Sequence, residues 1–125
     1  MARMLEADFV IAQPEGYELN PEITKDTPCY YNQEEALEGA DFVYTKNWSS
    51  YTQYGQILRT DDQWMLTAEK MKLTNHAKFM HCLPIRRNIV ATDAILDHPN
   101  SLVIEQANNR TYAAQWVLKK LLENG

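Results

Sequence analysis

The chain has 125 residues, of which 45% are hydrophobic and 23% charged, and its formal net charge is −5. These values are typical of one soluble globular domain with a modest core. The excess of acidic residues argues against nucleic acid as a partner, because a phosphate backbone is bound by a basic surface. The sequence has no apolar run of about 18 residues, so it contains no predicted membrane-spanning helix and no membrane partner is expected.

The N-terminus and the cysteines bear on the cellular compartment. Met1–Ala7 is too short and too acidic for a signal peptide. The two cysteines, Cys29 and Cys82, lack the spacing of a metal site. Without a secretory signal, free thiols in a reducing compartment are favoured over a disulfide. We therefore expect a cytoplasmic protein.

Short apolar segments alternate along the chain with segments that carry helix signals. This order predicts the α/β class, with a three-layer, Rossmann-like parallel sheet and helices on both of its faces. The predicted strands are Asp8–Ala12, Asp41–Thr45, Phe79–Leu83 and Ser101–Glu105, with a minor strand at Cys29–Tyr31.

Polar residues with short side chains mark the predicted helix starts. Asn20, Asn32 and Thr67 can each cap a helix, because their side-chain oxygens accept hydrogen bonds from exposed backbone N–H groups. Residues 46–63 form a long loop, and loops of this length usually have a function. The predicted helices are a short one that opens at Pro21, then Gln33–Glu38, Thr67–Leu73, Thr92–Leu96 and Asn109–Asn124, and a helix end at Met1–Ala7.

The strand predicted at Phe79–Leu83 carries reactive side chains to its carboxyl end, where ligands bind in open α/β sheets. His81 and Cys82 lie at this end. Pro84 cannot donate a hydrogen bond to a sheet, so strand pairing should end there. Leu83, which precedes the proline, is expected to be extended.

Two arginines, Arg86 and Arg87, follow this strand directly. A thiol, an imidazole, a carbonyl and two guanidinium groups together indicate a site for an anion that also carries an amine. The alternative is a buried strand followed by a solvated basic turn. A metal at Cys82 is a weaker alternative, because neighbouring residues alternate faces on a strand. The glycine patterns of dinucleotide-binding and phosphate-binding loops are absent.

Three motifs resemble the second domain of the aspartate/ornithine carbamoyltransferase family. They are Asp-Phe-Val-Tyr-Thr-Lys-Asn-Trp-Ser-Ser at residues 41–50, His-Cys-Leu-Pro at 81–84 and Gln-Ala-Asn-Asn-Arg at 106–110. Residues 14–19 and 80–88 most resemble the N-acylornithine group of this family. The resemblance implies that residues 1–125 are an N-terminally truncated ornithine- or acylornithine-binding domain. The carbamoyl-phosphate domain, with its Ser-Thr-Arg-Thr and His-Pro-x-Gln motifs, would be absent.

The resemblance implies a carbamoyltransferase of arginine biosynthesis. The substrates would be carbamoyl phosphate and the δ-amine of N-acetyl- or N-succinylornithine, without a metal or an organic cofactor, in a homotrimer. Two alternatives stay open. The chain could be a non-catalytic fragment or split-gene half that acts as a binding or interaction domain. It could also be a generic α/β ligand-binding domain.

The resemblance also implies roles for individual residues. His81, Cys82 and Leu83 match the strand end that binds the amino-acid substrate, and the Leu83 carbonyl and the Cys82 region would hold the attacking δ-nitrogen. Arg87 would hold the substrate carboxylate, and Arg86 is the weaker candidate of the pair. Arg110, predicted near the start of the last helix, would reach carbamoyl phosphate, since a helix N-terminus and a guanidinium both attract anions. The Leu83–Pro84 peptide would be cis.

Lys46 stands where ornithine enzymes of the family carry an aspartate. Free ornithine has an α-ammonium group, which a carboxylate would bind. Acylation converts this group into a neutral amide, so a lysine suits the remaining negative charge and would repel free ornithine. The alternative is that Lys46 is a solvated residue at a strand end.

Overall fold

The structure is a computed structural model that describes residues 4, 6–56, 58 and 62–124. The helix end predicted at Met1–Ala7 lies mostly outside these residues. The elements in the described ranges follow the predicted alternation of strands and helices as far as α4, after which a second helix follows directly. The strands are β1 (Ile11–Ala12), β2 (Cys29–Tyr30), β3 (Phe42–Thr45) and β4 (Lys78–His81), and the helices are α1 (Pro21–Thr24), α2 (Gln33–Leu37), α3 (Ala68–Met71), α4 (Asp93–Leu96) and α5 (Val103–Glu123).

All strand pairing in these ranges is parallel, which confirms the α/β prediction. β1 pairs with β2, and β3 pairs with β4 in a register that sets Thr45 opposite His81. Within the described residues, however, the strands form two two-stranded sheets and not one continuous sheet. The second sheet positions the candidate site residues Lys46, His81, Cys82 and Leu83, which lie at the ends of β3 and β4.

The predicted helix caps are confirmed. The side chains of Asn20 and Asn32 accept hydrogen bonds from the backbone of Glu22 and Glu34, at 2.9 and 3.0 Å. Thr67 Oγ1 accepts one from Lys70 N at 3.3 Å. The short helices α1, α2 and α3 therefore begin where the sequence indicates.

The prediction of a fourth strand at Ser101–Glu105 was wrong. Ser101 forms a single parallel bridge with Phe79, and α5 begins at Val103 and not at Asn109. Gln106 N donates to the Leu102 carbonyl at 2.9 Å, so the helical ladder starts inside the apolar run. Val103 is buried whereas Ile104 is 62% exposed. A run with one buried apolar residue suits the start of a helix as well as a strand, and periodicity cannot separate the two over so short a length.

β4 is the strand most deeply embedded in the core. Phe79 and His81 lie on the same face of β4, and each is 1% exposed. Phe79 belongs to a cluster of buried residues from α2, α4, α5 and the connecting loops. The other members are Leu37, Leu66, Ala91, Ile95, Leu96 and Val103.

Replacing Phe79 should therefore destabilise the chain strongly. Phe79→Ala removes a ring from a close-packed cluster, and we expect the free energy of unfolding to fall by about 3–5 kcal/mol. Phe42→Ala is the matched control, because Phe42 lies on the neighbouring strand but is 65% exposed. Urea unfolding should show a change below about 0.5 kcal/mol for the control. Equal losses for both variants would contradict this description of the core.

Candidate functional site

The pairing of β3 with β4 brings the residues after both strands to one edge of the sheet. Thr45 lies opposite His81, so Lys46 and Cys82 are the next residues on adjacent strands. Asn47 strengthens this junction, because its Nδ2 donates to the Pro84 carbonyl at 2.9 Å. The sequence analysis missed Asn47, although its position directly after Lys46 was a usable signal.

His81 is a buried, neutral imidazole. Its Nδ1 accepts a hydrogen bond from Leu83 N at 2.9 Å, so in the neutral ring the proton is on Nε2. Nε2 has no hydrogen-bond partner among the described residues. Burial lowers the pKa of His81, and the positive charge of Lys46 lowers it further. Lys46 is therefore close enough to His81 to influence its protonation.

Leu83 is not extended, so that expectation was wrong. Its φ is +50°, and the peptide bond to Pro84 is cis, as the resemblance implied. The left-handed region is strained for a branched side chain, by an amount on the order of 1–3 kcal/mol. The hydrogen bond from Leu83 N to the His81 ring takes the place of continued strand pairing. The Leu83 carbonyl accepts no hydrogen bond from the described residues.

Cys82 lies between these two residues as a half-buried free thiol, and Cys29 is an exposed free thiol. Within the described ranges, no group of three or more His, Cys, Asp or Glu side chains is arranged to hold a metal ion. The described residues also include no helix with the length and apolar character needed to cross a membrane.

Arg87 is held by two carboxylates, one in α4 and one directly after it. Its Nε lies 2.5 Å from Asp93 Oδ1, and its Nη2 lies 2.8 Å from Asp97 Oδ2. The hydrogen bonds that Arg87 donates to Asp97 and then to Asp93 raise the pKa of Arg87. A hydrogen bond from Asn88, followed by that from Arg87, lowers the pKa of Asp93. The sequence analysis missed these acidic partners, which lie in and just after the predicted helix at Thr92–Leu96.

Arg86 differs from its neighbour. Its side chain is exposed and makes no ion pair or hydrogen bond with the rest of the described chain. Within the described residues the positive charge of Arg86 is therefore unmatched, whereas two anions already neutralise that of Arg87.

Arg110 is not at a helix N-terminus, so that part of its predicted setting was wrong. α5 begins at Val103, which makes Arg110 the eighth residue of the helix. The side chain is exposed, and its Nε lies 3.5 Å from the Ala107 carbonyl of the preceding turn.

A cavity of about 360 Å³ lies between the first sheet and the end of β3. Lys46, Asn47 and Trp48 line it on one side, and β1 lines it on the other. Trp48 packs edge-on against Tyr17, with 6.3 Å between the ring centroids. The cavity is thus open to Lys46, while Arg86, Arg87 and Arg110 are outside its lining.

Comparison with known proteins identifies the family. The model of the aspartate/ornithine carbamoyltransferase Asp/Orn-binding domain matches residues 1–121. The chain belongs to the aspartate/ornithine carbamoyltransferase family. It is 52% identical over 119 residues to N-succinylornithine carbamoyltransferase of Bacteroides fragilis (strain 638R), a match that covers 94% of this chain and 37% of the relative. It is 40% identical over 93 residues to N-acetylornithine carbamoyltransferase of Xanthomonas campestris pv. campestris, which covers 70% of this chain and 27% of that protein.

Solved structures of the family show the same fold. A crystal structure of N-acetyl-L-ornithine transcarbamylase matches 82% of this chain and 37% of its own, with a TM-score of 0.71 and 30% identity. A variant of that enzyme, complexed with carbamyl phosphate and N-succinyl-L-norvaline, matches with a TM-score of 0.69, 30% identity and the same 82% of this chain, but 36% of its own. The chain therefore spans little more than a third of the proteins that it matches.

The buried His81 should make stability depend on pH. Its pKa is lower in the folded chain than the ordinary value of 6.5, so between these two pKa values the unfolded chain binds more protons. Stability is then complete above about pH 6.5 and is lost as the pH falls through this window. Urea midpoints measured from pH 7.5 downward should show this loss in the wild type and a smaller one in His81→Gln.

The exposed His98 offers a matched control for this measurement. His98→Gln leaves the His81 ring in place and should retain the wild-type dependence on pH. An unchanged dependence in His81→Gln would show that the imidazole is not kept neutral by the fold.

Proposed function

We propose that this chain is the substrate-binding part of an N-acylornithine carbamoyltransferase, with N-succinylornithine as the acylated substrate. The observation that carries the proposal is Lys46 at the edge beside His81, Cys82 and Leu83. The higher identity to the N-succinylornithine enzyme, 52% against 40%, favours the succinyl group. The residues would act on the arginine pathway, in the cytoplasm, as part of a homotrimer that needs no metal or organic cofactor.

The charge of Lys46 supports an acylated substrate. Its ammonium makes no ion pair or hydrogen bond with the described residues, and it borders the cavity beside β3. A substrate with a free α-ammonium group would meet this positive charge directly. N-succinylornithine has a neutral α-amide and two carboxylates, so it presents the complementary charge.

The groups at the end of β4 are suited to bind the δ-amine of the substrate in its neutral form. In the proposed reaction the neutral δ-nitrogen forms a bond to the carbamoyl carbon, the bond from that carbon to the phosphate oxygen breaks, and the amine proton leaves with phosphate. The Leu83 carbonyl and the Cys82 region are the proposed acceptors that orient the amine. A neutral His81 adds no positive charge here, and burial further disfavours the ammonium form of the substrate.

Arg87 and Arg86 are the proposed contacts for the substrate carboxylate. The resemblance implied that Arg87 binds this carboxylate. To do so, Arg87 would have to break or share its ion pairs with Asp93 and Asp97. Arg86 has no such competition among the described residues. We therefore propose that Arg86 contributes the free guanidinium while Arg87 holds the loop against α4.

Carbamoyl phosphate would be bound mainly outside this chain. Within residues 1–125, Arg110 is the proposed contact to carbamoyl phosphate. Its exposed side chain is accessible to a ligand or to another domain. The first, carbamoyl-phosphate domain would lie in the part of the polypeptide that this chain does not span. The alternative is that the chain has kept the fold as a non-catalytic binding fragment, which its coverage of 37% of the relative leaves open.

Lys46→Asp tests the assignment of the substrate. We would place the variant in a chimera in which this chain replaces the matched 119 residues of the Bacteroides fragilis enzyme. Loss of one charge-assisted contact costs about 1.5–3 kcal/mol, and repulsion between carboxylates adds to it. We expect kcat/KM for N-succinylornithine to fall by roughly 10- to 150-fold or more, while free ornithine loses less or gains.

Two controls make this experiment decisive. Lys46→Gln removes the charge without adding repulsion and should cause a smaller fall. A ratio of kcat/KM for the two substrates that stays within a few-fold of wild type would exclude charge recognition by Lys46. A chimera with the wild-type sequence that forms no ureido product would favour the non-catalytic alternative.

Arg86→Gln and Arg87→Gln form a matched pair in the same chimera. If Arg86 binds the carboxylate, Arg86→Gln should raise KM for N-succinylornithine by about tenfold or more, because a charge-assisted hydrogen bond is lost. Arg87→Gln should raise KM less and should lower the urea midpoint of this chain, since it breaks the contacts to α4. If Arg87→Gln raised KM more than Arg86→Gln, Arg87 would be the residue that binds the substrate carboxylate.

A further inference from the structure

Arg86 begins a tight turn whose backbone is held by hydrogen bonds on both sides of it. Just before the turn, the Pro84 carbonyl accepts the hydrogen bond from Asn47 Nδ2 at 2.9 Å. Within the turn, the Arg86 carbonyl accepts hydrogen bonds from Ile89 N and Val90 N, at 3.3 and 3.0 Å. The backbone of Arg86 is therefore fixed, although its side chain is exposed and has no partner among the described residues.

Asn88 lies at the centre of this turn in a left-handed conformation. Its φ is +56°, which asparagine tolerates better than most residues other than glycine. Asn88 N donates to the Ala91 carbonyl at 2.8 Å, which closes the turn. Both polar ends of the side chain reach Asp93, because Oδ1 accepts from Asp93 N at 3.0 Å and Nδ2 donates to Asp93 Oδ2 at 2.9 Å. The shape of the turn thus depends on the first residue of α4.

Asn88 also takes the place of Thr92 as the cap of α4. Thr92 directly precedes the helix, but its side chain makes no capping hydrogen bond, and its Oγ1 has no partner among the described residues. The N–H of Asp93 is instead bound by Asn88. The first N–H groups of a helix lack partners within the helix, so this hydrogen bond stabilises α4. The turn and the helix are therefore coupled through one asparagine.

α4 in turn is anchored in the core. Ile95 and Leu96 are 4% and 7% exposed, and both belong to the buried core cluster. The Asp93 carboxylate at the start of this helix accepts hydrogen bonds from Asn88 Nδ2 and from Arg87 Nε. The two residues that follow Arg86 are thus bound to the same carboxylate. A helix packed in the core therefore sets the position of the turn.

We infer that Asn88 and Asp93 are positioning residues, which fix the turn on α4 so that Arg86 presents its guanidinium to the substrate carboxylate. The inference rests on the proposed function, because it takes Arg86 as the carboxylate contact. A guanidinium on a fixed backbone loses less conformational entropy on binding than one on a loose segment. Asn88 and Asp93 thus act on substrate affinity through Arg86 and not by contact with the substrate.

A double-mutant cycle tests whether the effect passes through Arg86. Asn88→Gly keeps the left-handed backbone accessible and removes both side-chain bonds to Asp93. In the chimera with the Bacteroides fragilis enzyme, we expect it to weaken binding of N-succinylornithine by about three- to tenfold, as measured by calorimetry. In the Arg86→Gln background the same change should weaken binding by less than about twofold, because the positioned guanidinium is already gone.

Asp26→Gly is the matched control for a new glycine at a left-handed position. Asp26 is exposed, has a φ of +64° and lies outside the candidate site, so its replacement should leave the affinity unchanged. Asp93→Ala should reproduce the loss caused by Asn88→Gly, whereas Asp93→Asn keeps one acceptor oxygen and should lose less. Equal losses from Asn88→Gly with and without the Arg86 guanidinium would overturn the inference.

Hydrogen exchange measures the turn itself and needs no substrate. In the chain by itself, Asn88→Gly should speed exchange at the Val90 amide by at least about tenfold, because this amide donates to the Arg86 carbonyl. The Phe79 amide, which donates to the Asn100 carbonyl in the core, should keep its protection. Unchanged exchange at Val90 would overturn the inference. If Asn88→Gly does not fold, Asp93→Asn replaces it in both measurements, with smaller changes in the same direction.

Failure of this inference can be told apart from failure of the proposed reaction. A wild-type chimera that shows the expected coupling in N-succinylornithine binding but forms no ureido product would support the positioning role and contradict the reaction. An active chimera in which Asn88→Gly binds the substrate as tightly as the wild type would overturn the positioning role and leave the reaction standing.

Discussion

The parallel pairing of β3 with β4 is the constraint on which the candidate site depends. It carries Phe79 into the core and sets Thr45 opposite His81, so the chain leaves both strands at the same edge. Lys46 and Cys82 are neighbours because of this register, although 36 positions separate their numbers, 46 and 82. A shift of one residue in the pairing would turn His81 out of the core and separate these groups. The bond from Asn47 Nδ2 to the Pro84 carbonyl holds the two following loops together beyond the last ladder position.

His81 connects the stability of the core with the geometry of the site. Its ring is as deeply buried as that of Phe79, yet its Nδ1 holds the backbone of Leu83 in the left-handed region. The same burial keeps the ring neutral, and a neutral ring is required if Nδ1 is to accept this hydrogen bond. Protonation would remove the acceptor and place a charge in the core. The shape of the Leu83 segment and the free energy of folding therefore depend on one protonation state.

Charge is distributed unevenly among the basic residues near this edge. Arg87 is neutralised by Asp93 and Asp97, and it joins the segment after Pro84 to α4. Lys46 and Arg86 have no such partners within the described residues. In a chain with a net negative charge, cationic side chains without an ion-pair partner attract anionic ligands from solution. This contrast separates an arginine that stabilises the loop from residues that are available to a ligand.

The sequence by itself determined the α/β class, the helix caps and the order of the elements as far as α4. Those features depend on local chemistry, such as the side-chain oxygens of Asn20, Asn32 and Thr67, and on short apolar runs. The motif around His81 also indicated the family, because its residues are contiguous. Tertiary structure alone decided the start of α5 at Val103, since the run Leu102–Ile104 satisfies a strand and a helix equally well until packing against Phe79 is known. It also decided the pairing of Arg87 with Asp93 and Asp97, because which of two adjacent arginines faces α4 depends on how the chain folds back after Pro84.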